Sequence, residues 1–363
     1  MTTLRDIFTA FAPAYLARSP RLPTSHRKAI PASQPCQSGS YGHSLSPCQT
    51  CGGPHRVNPA GGHRHCPQCP QQTTQQGLQH PLDQQLPGPH VLLPFPVPET
   101  LRPCLRSPQR PAYQAMVHAS ATALKRLAAD ERCIGTDLPG CTGGLHTWGR
   151  QLQYHPHSHS MVPGGGLSKD RAAGVPARAH VFVPVNALSP ISRAICKDDM
   201  RQAGLLEDIA PQVWTIPWNV PSQAAHHGHS AFTSLAPSVF RVAISNSRIV
   251  GLKDRTVTFT DRKVGSARPR TAHLDVIAFL RRFLQHVLPD GFMQVRHGGF
   301  LHASCAIPLA TSRLMIMQAH PREGQPPQRT PSQPPAARCP TCGAPMRVSM
   351  RLWTSPRACV ETS

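Results

Sequence analysis

Aromatic side chains are scarce in this chain: Phe, Trp and Tyr make up 5% of 363 residues, and only four are tyrosine, Tyr15, Tyr41, Tyr113 and Tyr154. Acidic residues are scarce as well, 17 against 38 Lys plus Arg. The first shortage argues against one large compact core. Together with 41 prolines, about twice the usual ~5% frequency, it predicts an ordered central domain with poorly packed or disordered flanks. The second leaves a net charge of +21 and a pI near 10.3, the electrostatic footprint of a protein that binds a polyanion. No apolar run approaches the ~18 residues of a spanning helix and no basic amphipathic segment dominates, so nucleic acid is the expected partner and a membrane is not. Met1 to Arg18 is interrupted by Arg5 and Asp6 and holds no secretion signal. Thirteen cysteines in such a chain read as metal ligands and buried thiols.

What is present is clustered. Cys48-x-x-Cys51 is followed by Gly52 and Gly53, and after fourteen residues comes Cys66-x-x-Cys69. Each pair suits a tight turn that aims two thiolates inward, and four thiolates make a closed tetrahedral zinc site, structural rather than catalytic. Cys36, His55, His63 and His65 are close enough in sequence to substitute as ligands. A single further knuckle, Cys339-x-x-Cys342, needs partners from elsewhere. In Tyr154-His155-Pro156-His157-Ser158-His159 three histidines alternate, and on a strand they project to one face. Neutral imidazole is the commonest protein metal ligand, so such a row is half of a metal site or else a solvated loop.

Local patterns give an α+β chain. Helices are expected over Leu4 to Leu16, Ala112 to Asp130 and Asp275 to Leu288. Strand candidates are Val91 to Phe95, Ala179 to Val185, an edge piece over Pro211 to Pro217, and the second half of Thr233 to Ile249 paired with Val257 to Phe259. The first half of that same stretch suits a short helix. After Leu309 order should fade, with Pro321 to Pro335 disordered.

The block from Leu145 to Ser168 (Leu-His-Thr-Trp-Gly, His-Pro-His-x-His, Val-Pro-Gly-Gly-Gly-Leu-Ser) resembles the signature of HUH-type two-tyrosine rolling-circle transposases of the insertion-sequence-91 family. The double knuckle, the block at Arg241 to Asn246 and the block at Arg281 to Pro289 are similar to further stretches of that family. The resemblance implies four divisions: an N-terminal helix and zinc-binding domain (1–75), an irregular linker (76–110), an HUH domain with a central antiparallel sheet and flanking helices (111–309), and a Pro-rich tail with the single knuckle (310–363). It implies structural Zn²⁺ on Cys48, Cys51, Cys66 and Cys69, and catalytic Mg²⁺ or Mn²⁺ on His157 and His159 with His155 accessory. The partner implied is single-stranded DNA of element ends, contacted by Arg241, Arg281 and Arg282, in the bacterial cytoplasm on the nucleoid, with room for self-association.

This chain departs from the family where chemistry is concerned. The family's Tyr-Leu-x-x-Tyr nucleophile motif matches Ser234-Leu235-Ala236-Pro237-Ser238, with serine at both nucleophile positions. An aliphatic hydroxyl is a far weaker acid than a phenol of pKa ~10 and is too short to replace it. Ser158 between the histidines and Gly61 in the zinc region, where a further cysteine is expected, are departures of the same kind. The expectation is a transposase by descent that is impaired in cleavage. The alternative is a zinc-knuckle DNA-binding protein without catalysis.

Overall fold

The structure, a computed structural model, describes residues 2–36, 38–40, 42–58, 63, 66, 69, 89–177, 184–221, 223–225, 243–262, 268–319, 339, 341–344 and 350–352. Helix α1 (Leu4–Arg18) opens with a reciprocal cap in which Thr3 Oγ1 accepts from the Asp6 amide and the Asp6 carboxylate accepts from the Thr3 amide. Its stripe of Leu4, Ile7, Phe8, Ala12 and Tyr15 is buried, and Pro13 falls on the exposed side. Helix α2 (Thr24–Ser33) follows, then the hairpin β1 (His43–Pro47) and β2 (Pro54–Val57). Next come β3 (His90–Pro96), α3 (Gln109–Ala128), β4 (Leu138–Pro139), β5 (Cys141–Trp148), β6 (Tyr154–Pro163), β7 (Gly165–Leu167) and β8 (Gly174–Pro176). The remaining elements are α4 (Val185–Gln202), β9 (Gln223–Ala225), β10 (Ile249–Lys253), β11 (Thr256–Arg262), β12 (Pro269–Asp275), α5 (Val276–Leu284), β13 (Val295–Gly298), α6 (Leu309–Ala319) and β14 (Met350–Leu352).

The sheet that positions the site runs β13-β5-β6-β3-β9, antiparallel throughout. Two prolines, Pro94 and Pro96, interrupt β3, but β9 pairs with it through His90 to Leu92, so both fall where, among the described residues, that flank has no paired strand. Helices α3 and α4 cover one face of this sheet, burying Leu93, Phe95, Tyr113, Met116, Leu145, Tyr154, Leu188 and Met200. A second core joins α1, α2 and α5 to the sheet β10-β11-β12. Buried aromatics are divided between the two cores; in the second, Phe8 meets Phe283 edge-on at 5.6 Å, and Phe259 lies 5.9 Å from Phe279. A third, small core of Leu167, Phe300 and Ile316 fixes α6 beside β7.

The helix expected over Asp275 to Leu288 is α5, with Asp275 as its cap: the carboxylate accepts from the amides of Ile277 and Ala278. Other expectations are corrected. Pro211 to Pro217 is no edge strand but a 3-10 turn over Pro211–Trp214. Val213, Trp214 and Trp218 are buried in the main core, and the Trp218 indole donates to the Val213 carbonyl. Val185 opens α4 rather than ending a strand, and residues 178–183 lie outside the described residues. The helix anticipated from Thr233 also lies outside them. The strand that follows begins only at Ile249, beyond a turn over Asn246–Arg248, and Ile249 stands opposite Phe259. Order does not fade at Leu309, where α6 starts, and Pro321 to Pro335 lies outside the described residues. The stretch expected to be linker contributes β3 to the central sheet. Among the described residues no helix is long and apolar enough to cross a membrane.

Candidate functional site

Strand β6 behaves as alternation demands. Tyr154, Pro156 and Ser158 are buried against the helices, while His155, His157 and His159 are half-buried on the other face. The register with β5 sets His146 opposite His157 and Gly144 opposite His159. On the other flank Pro96 and Pro94 stand opposite the same two histidines. The outcome is a three-imidazole cluster, His146, His157 and His159, with one ring nitrogen from each lying within 4.8 Å of the others.

The tautomer of His157 is set by the backbone. His157 Nδ1–H donates to the His155 carbonyl at 2.7 Å, which leaves its Nε2 lone pair facing His146 Nδ1 at 3.0 Å. His146 Nε2 and His159 Nδ1 are buried without a hydrogen-bond partner. Desolvation, reinforced by the neighbouring imidazoles, pushes His157 down to about 3 and His159 down to about 4, and holds His146 well below its ordinary value. At neutral pH all three are uncharged, the form that binds a cation. Orphaned nitrogens and neutral rings at this spacing suit a divalent ion. His155 shares the face, its ring centroid 4.9 Å from that of His157, but its side chain lies outside the three-nitrogen group.

Other groups frame the cluster. Trp148 packs edge-on against His146 at 4.0 Å. Arg102, on the turn Glu99–Leu105, has a buried Nε with no hydrogen-bond partner, and its charge is one of the influences that lower His155 and His157. Tyr154 points the opposite way. Its hydroxyl lies 2.8 Å from that of Tyr113 and donates to the Leu105 carbonyl, and burial raises its pKa above that of an ordinary phenol.

Beneath the cluster His286 is fully enclosed: its Nε2–H donates to the Leu152 carbonyl and Nδ1 accepts from the Thr147 hydroxyl. Desolvation pushes it down to about 4, and likewise His26 of α2. A folded pKa below the unfolded value of ~6.5 means that the unfolded chain takes up protons the folded chain refuses. Stability is therefore complete above pH ~6.5 and is lost as pH falls towards 4, by about 2 kcal/mol per imidazole at pH 5. Urea midpoints measured at pH 7.5 and 5 check this: the drop should shrink by about 2 kcal/mol in His286→Gln.

The cysteines fall into two groups that differ from the set of four expected from spacing. Cys48 and Cys51 meet Cys339 and Cys342, whereas Cys66 and Cys69 meet Cys36, with 3.4 Å between Cys36 Sγ and Cys69 Sγ. Fourteen intervening residues do not bring the two N-terminal knuckles onto one centre. Amides of Cys51 and Thr50 hold the Cys48 thiol down at about 6, favouring thiolate. Of the expected DNA contacts, Arg281 is exposed on α5, while Arg282 is committed to the Gln151 carbonyl at 3.1 Å. Ser234, Ser238 and Arg241 lie outside the described residues.

Sequence reasoning missed His146 as a ligand and Arg102 as a neighbour. His146 was in view inside the block Leu145 to Gly149, but only strand register shows which histidine it faces.

A family model described as "Transposase zinc-binding domain" matches residues 7–97, and one described as "Putative transposase" matches residues 140–307, the span that holds all three clustered histidines. The chain is similar to the "Putative transposase y4qJ" of Sinorhizobium fredii, 30% identical over 317 residues that cover 82% of this chain and 79% of that one. It is also similar to the "Transposase for insertion sequence element IS801" of Pseudomonas savastanoi pv. phaseolicola, 26% identical over 268 residues covering 66% of this chain and 60% of that one. No solved structure matches. With a zinc-binding domain ahead of a transposase domain, and with relatives alike over most of its length, this chain belongs to the insertion-sequence-91 family of transposases.

Proposed function

We propose that this chain binds single-stranded DNA at element ends and holds a divalent ion, Mg²⁺ or Mn²⁺, on His146, His157 and His159, and that it is impaired in strand cleavage. The observation that carries this reading is the cluster of three neutral imidazoles inside the transposase span. A divalent ion bound there would polarise a phosphodiester oxygen and offset the charge that builds up during displacement. The chain's own part is to hold three lone pairs on adjacent strands, keep them unprotonated by burial, and place the Arg102 guanidinium nearby for a phosphate. Net charge +21 supplies the long-range attraction to the DNA backbone.

The nucleophile is what this copy has given up. Serine occupies both positions, 234 and 238, where the family carries tyrosine. The described tyrosines do not replace it, because Tyr15, Tyr113 and Tyr154 are each 5% exposed or less. A serine hydroxyl leaves a much more basic alkoxide than a phenol does, so both attack and reversal are slowed.

The test is a denaturing gel after incubation with Mn²⁺ and an oligonucleotide carrying an element end. No covalent adduct is expected from the chain as it stands, and one is expected from the double variant Ser234→Tyr/Ser238→Tyr. An adduct on the unsubstituted chain overturns the impairment. Salt-dependent DNA binding without any adduct, even after both tyrosines are restored, leaves a zinc-knuckle DNA-binding protein as the function.

A further inference from the structure

The knuckle Cys339-x-x-Cys342 lies nearly three hundred residues after Cys48, yet Cys342 Sγ approaches Cys48 Sγ to 3.4 Å and Cys339 Sγ approaches Cys51 Sγ to 3.7 Å. All four thiols are free, and their sulfurs lie within 4.8 Å of one another. These separations are far longer than the ~2.05 Å of a disulfide. They are close to the ~3.8 Å edge of a tetrahedron whose metal–sulfur bonds are ~2.3 Å.

The two knuckles are built alike. The Gly52 amide donates to the Cys48 carbonyl at 2.9 Å, and the Gly343 amide donates to the Cys339 carbonyl at 2.8 Å. The Cys48 amide donates to Gly53 O at 3.0 Å, and the Cys339 amide to Ala344 O at 2.8 Å. Each turn closes on a glycine in the left-handed region, φ +70° at Gly52 and φ +74° at Gly343, where a side chain would be strained. Turns of this kind present two sulfurs to one side, and here the two presentations face each other.

Further contacts surround the four sulfurs. The His55 Nε2 atom lies 3.1 Å from Cys339 Sγ, as an imidazole N–H does when it donates to a thiolate and steadies the charge of a four-sulfur site. Strand β14, a few residues beyond the second knuckle, adds to the hairpin of the first, with His43 opposite Leu352 and Leu45 opposite Met350. The zinc-binding family model stops at residue 97 and accounts for neither Cys339 nor Cys342.

We propose that Cys48, Cys51, Cys339 and Cys342 form one tetrathiolate zinc site that staples the C-terminal segment to the N-terminal module. The N-terminal zinc domain is then incomplete without residues from the far end of the chain. Zinc closes a loop that contains the whole transposase domain, and the trio Cys36, Cys66 and Cys69 belongs to a separate centre. The inference stands apart from the histidine cluster and from any capacity to cut DNA.

The test counts zinc per chain, by elemental mass spectrometry, in the full-length protein and in paired variants. Cys339→Ser/Cys342→Ser should lose one zinc, Cys48→Ser/Cys51→Ser should lose one, and the fourfold variant should also lose one, because both pairs empty the same site. A further Cys36→Ser change should remove a different zinc and add to the loss. A fourfold variant that loses two zincs, or a C-terminal pair whose removal leaves the count unchanged, overturns the shared site. A second measurement needs no substitution. In the zinc-loaded wild-type chain, Cys339 and Cys342 should resist alkylation by N-ethylmaleimide as well as Cys48 and Cys51 do, and a chelator should expose all four together. Rapid alkylation of Cys339 and Cys342 while Cys48 and Cys51 stay protected overturns the proposal.

Discussion

Replacing His157 by alanine is expected to weaken Mn²⁺ binding at the histidine cluster by more than about 100-fold, since losing even an outer-shell partner of a metal ligand costs roughly 10–100-fold. His157 is central to the cluster in two ways. Its Nε2 faces His146 Nδ1 at 3.0 Å, and its own Nδ1–H is tied to the His155 carbonyl, which fixes both tautomer and ring plane. His146→Ala should cost a comparable factor, because the ligand then missing comes from β5 rather than β6. His155→Ala should cost less than about threefold, because the group that steadies His157 is the backbone carbonyl of residue 155, which alanine keeps. Electron paramagnetic resonance of Mn²⁺ titrated into the zinc-loaded chain reads this ranking, and the thiolate centres do not compete well for so hard a cation. If His155→Ala abolishes binding and His146→Ala spares it, the site is a one-strand row rather than a two-strand cluster.

That ranking also marks where the sequence was legible and where it was not. The alternation of β6 could be read directly, since a strand's side chains alternate by backbone geometry alone, and Tyr154 to His159 are buried and half-buried in turn. What local geometry does not contain is register. Histidine 146 enters the site because β5 pairs with β6 so as to set it against His157, with a register shift just beyond it between His146 and Trp148. The cysteines carry the same lesson at longer range. Knuckles can be read from spacing, but which knuckle meets which is decided by the path of the whole chain, and Cys48 with Cys51 faces a pair from its other end. Helix α6 escaped notice because only Ser312 and Ile316 of its eleven residues are buried while Leu314 is 60% exposed, so no apolar face stands out. Helix α5 was plain for the opposite reason: Val276, Phe279, Leu280, Phe283 and Leu284 form one continuous buried face behind an aspartate cap.

Replacing Gly299 by alanine is expected to destabilise the transposase domain by about 4 kcal/mol or more, among the largest effects a single substitution produces. Two costs coincide at this residue. Its φ of +62° lies in the left-handed region, which costs a non-glycine residue roughly 1–2 kcal/mol. An added Cβ would also overlap the Pro139 carbonyl oxygen and stand 2.6 Å from its carbon, so backbone rather than a pliable side chain has to move. The neighbours make that movement costly. Gly298 ends β13 opposite Cys141 of β5, and Phe300 fills the small core with Leu167 and Ile316 while its ring lies against Gly140. Displacing Gly299 therefore strains the strand that carries His146 and empties a buried aromatic site at once. Gly251→Ala is the matched control: its φ is not left-handed and no atom lies within 4 Å of the added carbon, so its effect should stay within about 1 kcal/mol of zero. Urea denaturation followed by circular dichroism compares the two variants. Equal, small effects would mean that the backbone at Gly299 or Pro139 yields freely. A large, selective loss in Gly299→Ala, accompanied by weaker Mn²⁺ binding, would tie the packing of this edge strand to the geometry of the histidine site.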